Sequence, residues 1–386
     1  MTASVQRDPM YRFLLLLTVA AAIGLQLWRT LFNNFAVEVG GLEGFQVGII
    51  QSVREIPGFL ALLAVYVMLL VREHHLSAVS ILLLGLGVGA TGFFPSYYGL
   101  VFTTLIMSFG FHYFETTNQS LTLQYFDNDT SPLVFGRQRS WGAATNIGVG
   151  LSVIILSGPL SYLQLYLLVG ILIFAIGLWA AVQNPSDRTV PLQSRKMLLR
   201  KDYWLFYLLT FLAGARRQIF VAFVVFFMVE RLSFSIREIT FLFIVNNVIN
   251  YFLSPLIGKA IVRFGERRLL SLEYGSLILI FLSYALTESR ILVACLYILD
   301  HIFFNFSIAI RTFFQRIADP GDISSSMAVG FTINHIAAVL LPALFGFLWM
   351  VDYRIPFVGG AALAVCSLVA VQLIPARRVK VQQAPR

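Results

Sequence analysis

YRFLLLLTVAAAIGLQLWRTLFNNF, Tyr11 to Phe35, is an apolar run of 25 residues that still carries Gln26, Arg29 and Asn33. A bilayer core takes about 20 apolar residues of helix, so the length suits a crossing. The three polar residues stand at i, i+3 and i+7 and share one helical face. An arginine at that depth costs about 2.5–3.5 kcal/mol on insertion scales, so a span that keeps one keeps it for a task. Polar groups cannot face hydrocarbon cheaply, and this face must look toward other helices or a wet cavity. The segment MYRFLLLLTVAAAIG, from Met10, has the basic head and apolar middle of a signal peptide. Its continuation through Leu31 and Phe32 reads instead as the first of many spans.

Eleven more such stretches follow: Val47–Val71, Leu76–Phe94, Tyr98–Leu123, Trp141–Leu160, Tyr162–Val182, Tyr203–Val229, Ile239–Val262, Leu269–Leu286, Ile291–Phe314, Met327–Met350 and Ile355–Ile374. Numbered 1 to 12, they predict an all-α membrane protein. Hydrophobic residues make up 58% of the chain and charged residues 12%, too few ionic groups to cover a soluble surface. A β-barrel would alternate apolar and polar residues in segments of about ten, which this sequence does not do. Cys295 and Cys366 lie within spans as small packing residues, without metal or redox spacing.

The longest polar interruption, QNPSDRTVPLQSRKMLLRKD (183–202), divides six spans from six and suits a linker able to carry a short surface helix. The expected organisation is a bundle over 1–182, the linker 183–202 and a second bundle over 203–386. FAVE at Phe35–Glu38 returns as FMVE at Phe227–Glu230, 192 residues on; WGAATN, with Gly142 and Asn146, returns as VGFTIN, with Gly330 and Asn334, 188 residues on. Two nearly equal offsets support a duplicated half, and such halves place a solute site between them near mid-bilayer.

The net charge of +9 fits topology rather than a nucleic-acid partner. With both termini cytoplasmic, 20 of the 28 Lys/Arg, among them Arg137, Arg139 and Arg311, fall in cytoplasmic segments or the span ends beside them. Four sit in outer loops (Arg231, Arg237, Arg290, Arg354) and four deep within spans, as the positive-inside rule requires.

Those last four are Arg29, Arg54, Arg216 and Arg217. Three acids, Glu55, Glu115 and Asp300, accompany them in mid-span. Span 2 holds Gln51, Arg54 and Glu55; span 4 holds His112, Glu115 and Gln119 at i, i+3 and i+7; span 10 holds Asp300, His301 and Asn305. Asn246 and Asn250 in span 8 and Asn334 and His335 in span 11 complete the set. The plainer readings are an ion pair of Arg29 with Glu55 or Glu115, interhelical bonds of about 0.6 kcal/mol for the asparagines, and a packed role for His335. Arg216 and Arg217 are adjacent and point apart, so one of them, Arg217, is expected in the cavity. Gly85, Gly89 and Gly92 mark span 3 for close helix packing.

GKAIVRFGERR, between spans 8 and 9, resembles a loop motif of the major facilitator superfamily. Gly258, Arg263, Gly265, Arg267 and Arg268 match it; Val262 replaces its acid, and the first-half loop VREHHL keeps Arg72 but lacks both glycines. The resemblance implies two pseudo-symmetric six-helix bundles, a cavity lined by spans 1, 2, 4, 5, 7, 8, 10 and 11, and a gating role for this loop. The substrate-binding candidates are then Gln26, Arg29, Asn33, Arg54, Arg217, Asn246, Asn250 and Asn334. Candidates for proton coupling are Glu115 as principal acid, with His112, Glu55, Asp300 and His301, since a carboxyl group or imidazole in a changing dielectric can exchange its proton.

Arginine's planar fork suits carboxylates and phosphates. The sequence therefore reads as a monomeric, proton-coupled secondary transporter of a small organic anion in a bacterial inner membrane. A drug-efflux antiporter and a scaffold on a degenerate transporter fold are the alternatives. The span-5 glycines (Gly142, Gly148, Gly150) reach Gly158–Pro159 only at the outer end, unlike the antiporter motif. No phosphate loop, metal-ligand spacing or nucleophile triad suggests an enzyme or a cofactor, and Glu73–His74–His75 reads as a solvated loop.

Overall fold

The computed structural model describes residues 3–68, 70–186, 190–194, 196–197 and 199–375. A short helix, Ala3–Arg7, precedes twelve long helical segments. The first six are α1 (Pro9–Glu38), α2 (Gly44–Val67), α3 (Glu73–Thr91), α4 (Tyr97–Tyr125), α5 (Ser131–Leu156) and α6 (Tyr162–Val182). The last six are α7 (Lys201–Glu230), α8 (Ile236–Phe264), α9 (Glu266–Leu286), α10 (Arg290–Ile317), α11 (Ile323–Val351) and α12 (Arg354–Val371). Among the described residues, ten are long and apolar enough to cross a membrane by length and composition. The other two, α4 and α5, are of similar length but less apolar, α4 through a run of buried polar residues from Thr103 to Thr122.

Local chemistry sets the ends. Asp8 caps α1 by accepting from the Tyr11 N–H at 3.1 Å, and Pro9 opens the first turn, where no N–H is needed. α5 begins at Ser131, with Pro132 in its first turn, ten residues before the expected Trp141. Arg137 and Arg139, expected in a cytoplasmic segment, therefore ride inside a helix, and Arg311 lies within α10. Gly265 stands at φ +80° between α8 and α9, a turn open to glycine. The repeated FAVE and FMVE both close helices, at Glu38 and Glu230.

Buried apolar side chains sort into two cores. One runs from Met10 to Ala180 and the other from Tyr203 to Ile374, joined by Leu123 and Phe135. Within the first bundle α3 meets α6 almost backbone to backbone: a Cβ at Gly85 would stand 2.6 Å from the Phe174 nitrogen. The bundles touch through α5 with α8 and α2 with α11. Pro255 in α8 cannot bond the Tyr251 carbonyl, and the Ser140 hydroxyl of α5 donates to it instead, at 2.6 Å. Nearby, a Cβ at Gly136 would lie 2.5 Å from the Ser254 carbonyl oxygen. All these contacts lie toward the linker, so the bundles are closed on that face.

Three expectations need correction. Cys295 and Cys366 are exposed on the outer surface rather than packed. The described linker residues form no helix before Lys201; Gln193 and Ser194 instead dock on the α10–α11 turn, at the Pro320 and Gly321 carbonyls. Glu73 and His74 are not solvated: they open α3, His74 is 3% exposed, and Glu73 accepts from Gln124 at 2.7 Å. Of the cytoplasmic cations expected, Arg188, Arg195, Arg377, Arg378, Lys380 and Arg386 lie outside the described residues.

Candidate solute site

Halfway along α2 the helix breaks. It stops at Val53, turns through Arg54 and Glu55, and restarts at Ile56 with Pro57, whose missing N–H cannot close on Val53. Irregular backbone at membrane depth is tolerated where protein or a cavity surrounds it. Here Ser108 of α4 donates to the Arg54 carbonyl, and the Arg54 and Glu55 side chains pair at 2.6 Å. Glu55 is thus taken by Arg54, and the ion pair expected of Arg29 does not form among the described residues.

Arg29, Arg54 and Arg217 converge with Glu55, Ser108 and His112 on a cavity of about 40 Å³. That is room for a few waters. The residues come from both bundles. Arg29 and Asn33 are nonetheless exposed, and Gly142, Gly148 and Gly150 of α5 have no atom within 4 Å of a would-be Cβ. The cavity is therefore the floor of a space open to the face opposite the linker. Across it His335 of α11 brings Nε2 to 3.8 Å from Glu55 Oε2, and its ring lies 4.9 Å from that of His112. His335 is packed as expected, with Nδ1 2.9 Å from the Phe331 carbonyl, but it also faces the cavity acid.

Arg216 points away from this cavity, into the second bundle. Its guanidinium lies 3.7 Å from Glu273 of α9 and 4.2 Å over the Tyr274 ring, and it donates to Ser367 of α12. Asp300 joins Arg216 and Glu273 around a void of about 10 Å³. The adjacent His301 turns elsewhere, onto Phe220 and Tyr297. Asp300 and His301 are therefore not one site.

A third group surrounds Glu115. That carboxylate is half-buried, accepts from Gln119, and is felt electrostatically by Arg139, Arg311 and Arg217. Arg139 donates to the Asn305 carbonyl at 3.2 Å and crosses from α5 to α10. Glu115 and His112, three residues apart, thus serve different neighbourhoods.

Among the remaining candidates, Gln26 bonds Thr30 within α1, and Asn33 accepts from Gln51 at 3.4 Å. Asn250 accepts from Asn305, and Asn334 donates to the Thr210 carbonyl, both interhelical bonds of the plain kind. Asn246 is buried, and neither of its amide atoms has a hydrogen-bond partner among the described residues. Of the loop motif only Gly265 stands between helices; Gly258, within α8, packs against the Pro132 carbonyl of the opposite bundle. Arg267 reaches Gln372 at the end of α12, Arg263 lies over Phe264, and Arg268 is exposed.

The sequence reading missed Glu273, Arg139 and Arg311. Glu273 is a lone acid inside span 9 and carried the same signal as Glu55. Arg139 was hidden by a span start placed beyond it, at Trp141, and Arg311 by its place near the end of span 10, where it read as a cytoplasmic anchor.

The Major Facilitator Superfamily model matches residues 13–342. No curated protein sequence matches the chain. Among solved structures, a bacterial homologue of the iron transporter ferroportin in an outward-facing state is similar at TM-score 0.75 and 13% identity, over 94% of this chain and 98% of that one. The transporter FucP in its outward conformation gives TM-score 0.75 at 14% identity, over 95% and 98%. The human organic anion transporter MFSD10 gives 0.66 at 13%, over 96% and 100%. Sequence motif, architecture and family match agree: the chain belongs to the major facilitator superfamily of membrane transporters.

Proposed function

We propose that this protein is a secondary active transporter of a small organic anion, coupled to protons. One observation carries the reading: three guanidinium groups from α1, α2 and α7 meet at the floor of an open space between the bundles, with one carboxylate among them. Arginine forks hold carboxylate or phosphate oxygens in pairs, and an excess of them in a low dielectric favours an anion. Gln26, Asn33, Asn246, Asn250 and Asn334 flank the route. The bodies that rock are 1–182 and 203–386, tied by the linker 183–202, and the α8–α9 loop with Gly258, Arg263, Gly265, Arg267 and Arg268 gates the linker face. With both termini cytoplasmic in a bacterial inner membrane, the state described here opens outward.

Proton coupling falls to Glu115, which sits among arginines whose distances change as α4, α5 and α10 move. The test is uptake of radiolabelled mono- and dicarboxylates into proteoliposomes holding the purified monomer, under an imposed pH gradient. Uptake should rise with the gradient, and Glu115→Gln should lose accumulation while keeping exchange. Uptake of neutral solutes alone, with Arg29→Gln and Arg217→Gln unaffected, would refute the anion reading.

A further inference from the structure

We propose that Glu55, His112 and His335 form a binding site for a divalent transition metal ion of the zinc or cobalt(II) kind, at the seam where α2 and α4 meet α11. One donor atom from each residue lies within 4.8 Å of the other two. Glu55 Oε2, His112 Nδ1 and His335 Nε2 are all buried, and none has a hydrogen-bond partner among the described residues. His112 is 6% exposed and His335 2%. A buried polar atom without a partner costs about 1–3 kcal/mol, and three such residues gathered this closely call for a shared partner.

The surroundings orient the donors. Phe331's carbonyl, 2.9 Å from His335 Nδ1, takes the proton on that nitrogen and leaves Nε2 with its lone pair toward Glu55. Arg54 holds Glu55 Oε1 at 2.6 Å and leaves Oε2 to the site. Two imidazoles and a carboxylate suit zinc, cobalt(II) or iron(II) rather than calcium or magnesium, and three protein ligands leave a position open toward the cavity. Metal–nitrogen bonds of about 2.0–2.1 Å set ligand atoms roughly 3.3 Å apart, so the donors must draw in by about 1.5 Å at most. Gly58 gives the His335 ring its place: a Cβ there would stand 2.5 Å from Nε2. The ligands come from both bundles, so the ion would bind to the closed linker face and loosen when α11 leaves α2. Arg29, Arg54 and Arg217 share the cavity and repel a cation, which keeps the affinity moderate and gives the test its sign.

The test is a cobalt(II) titration of the full chain in nanodiscs, read by visible absorption. Four- or five-coordinate cobalt(II) should give a strong d–d band, and His112→Ala, His335→Ala and Glu55→Gln should each weaken binding more than tenfold. Arg217→Gln, which removes a like charge and no ligand, should tighten it severalfold. The paired change His74→Ala with His75→Ala, at rings 4.2 Å apart near the linker face, should leave the band intact. Thermal midpoints of the same samples identify a variant that has lost its fold, and Glu55→Gln then decides. No band in the unaltered chain, a band that survives Glu55→Gln, or weaker binding in Arg217→Gln overturns the site. The proposal stands apart from the anion reading, because proteoliposome uptake tests that one separately.

Discussion

Arg216 and Arg217 are neighbours in α7, yet they belong to two different kinds of place. Arg217 lines a cavity shared by both bundles, where arginines outnumber acids, and it also borders the smaller void behind it. Arg216 looks into one bundle alone, where Glu273, Asp300, Ser367 and the Tyr274 ring surround it in a void of about 10 Å³. The first cluster leaves cationic charge in excess and accessible; the second surrounds its guanidinium with acids and buries it. A helix advances about 100° per residue, so one step along the chain suffices to pass from one to the other. Unmatched charge in reach of water is what a solute can use. Matched charge in a dry interior fixes how helices pack.

The sharpest way to break this contrast is to neutralise each arginine. Arg216→Gln strands two buried carboxylates, and breaking a buried pair costs about 3–5 kcal/mol. The expected result is a large fall in the thermal midpoint, or loss of the folded protein from detergent extracts. Arg217→Gln should leave the midpoint near its original value and reduce anion uptake by about 10- to 100-fold, the worth of a charged hydrogen bond of about 1.5–3 kcal/mol. Equal stability losses in the two variants would show that Arg217 is as structural as Arg216.

The same two residues show what the sequence could reveal. Their adjacency said that only one could face the cavity, and hydrophobic run lengths located the helices because lipid imposes them. The glycines of α3 pointed to the close pairing that α6 provides. Partners were another matter. Glu273 lies 57 positions from Arg216, and no local pattern links an acid in α9 to a guanidinium in α7. Arg139 was obscured because hydropathy marks where a helix becomes apolar, whereas α5 starts earlier, at its proline-bearing first turn. The meeting of Glu55, His112 and His335 depends on how two bundles close, which pairing across more than 200 residues decides.

The closed seam itself offers an effect of intermediate size. A methyl added by Gly258→Ala runs into the Pro132 carbonyl, and overpacking of that kind costs about 1–3 kcal/mol. The penalty falls on the state in which α5 and α8 touch and spares the state in which they part, so the population should shift toward opening at the linker face. Spin labels at the linker-side ends of α5 and α8, in a background with Cys295→Ser and Cys366→Ser, should report a longer distance in the variant. An unchanged distance distribution would mean that the seam yields without consequence and that Gly258 is no gate.

The smallest effect sharpens the contrast most finely. In the sealed cluster two acids face one guanidinium, so one negative charge is in excess if both are ionised. Asp300→Asn keeps the shape of the side chain and removes that excess, leaving Arg216 its 3.7 Å contact with Glu273. It should cost about 1 kcal/mol or less, a shift in thermal midpoint of only a few degrees. Glu273→Gln deletes the nearer partner and should cost more. If the order is reversed, Asp300 is the acid that holds Arg216 in place. If both changes are silent for stability while Asp300→Asn abolishes proton-driven accumulation, the sealed cluster is a working part of the transport cycle and the division drawn between the two arginines fails.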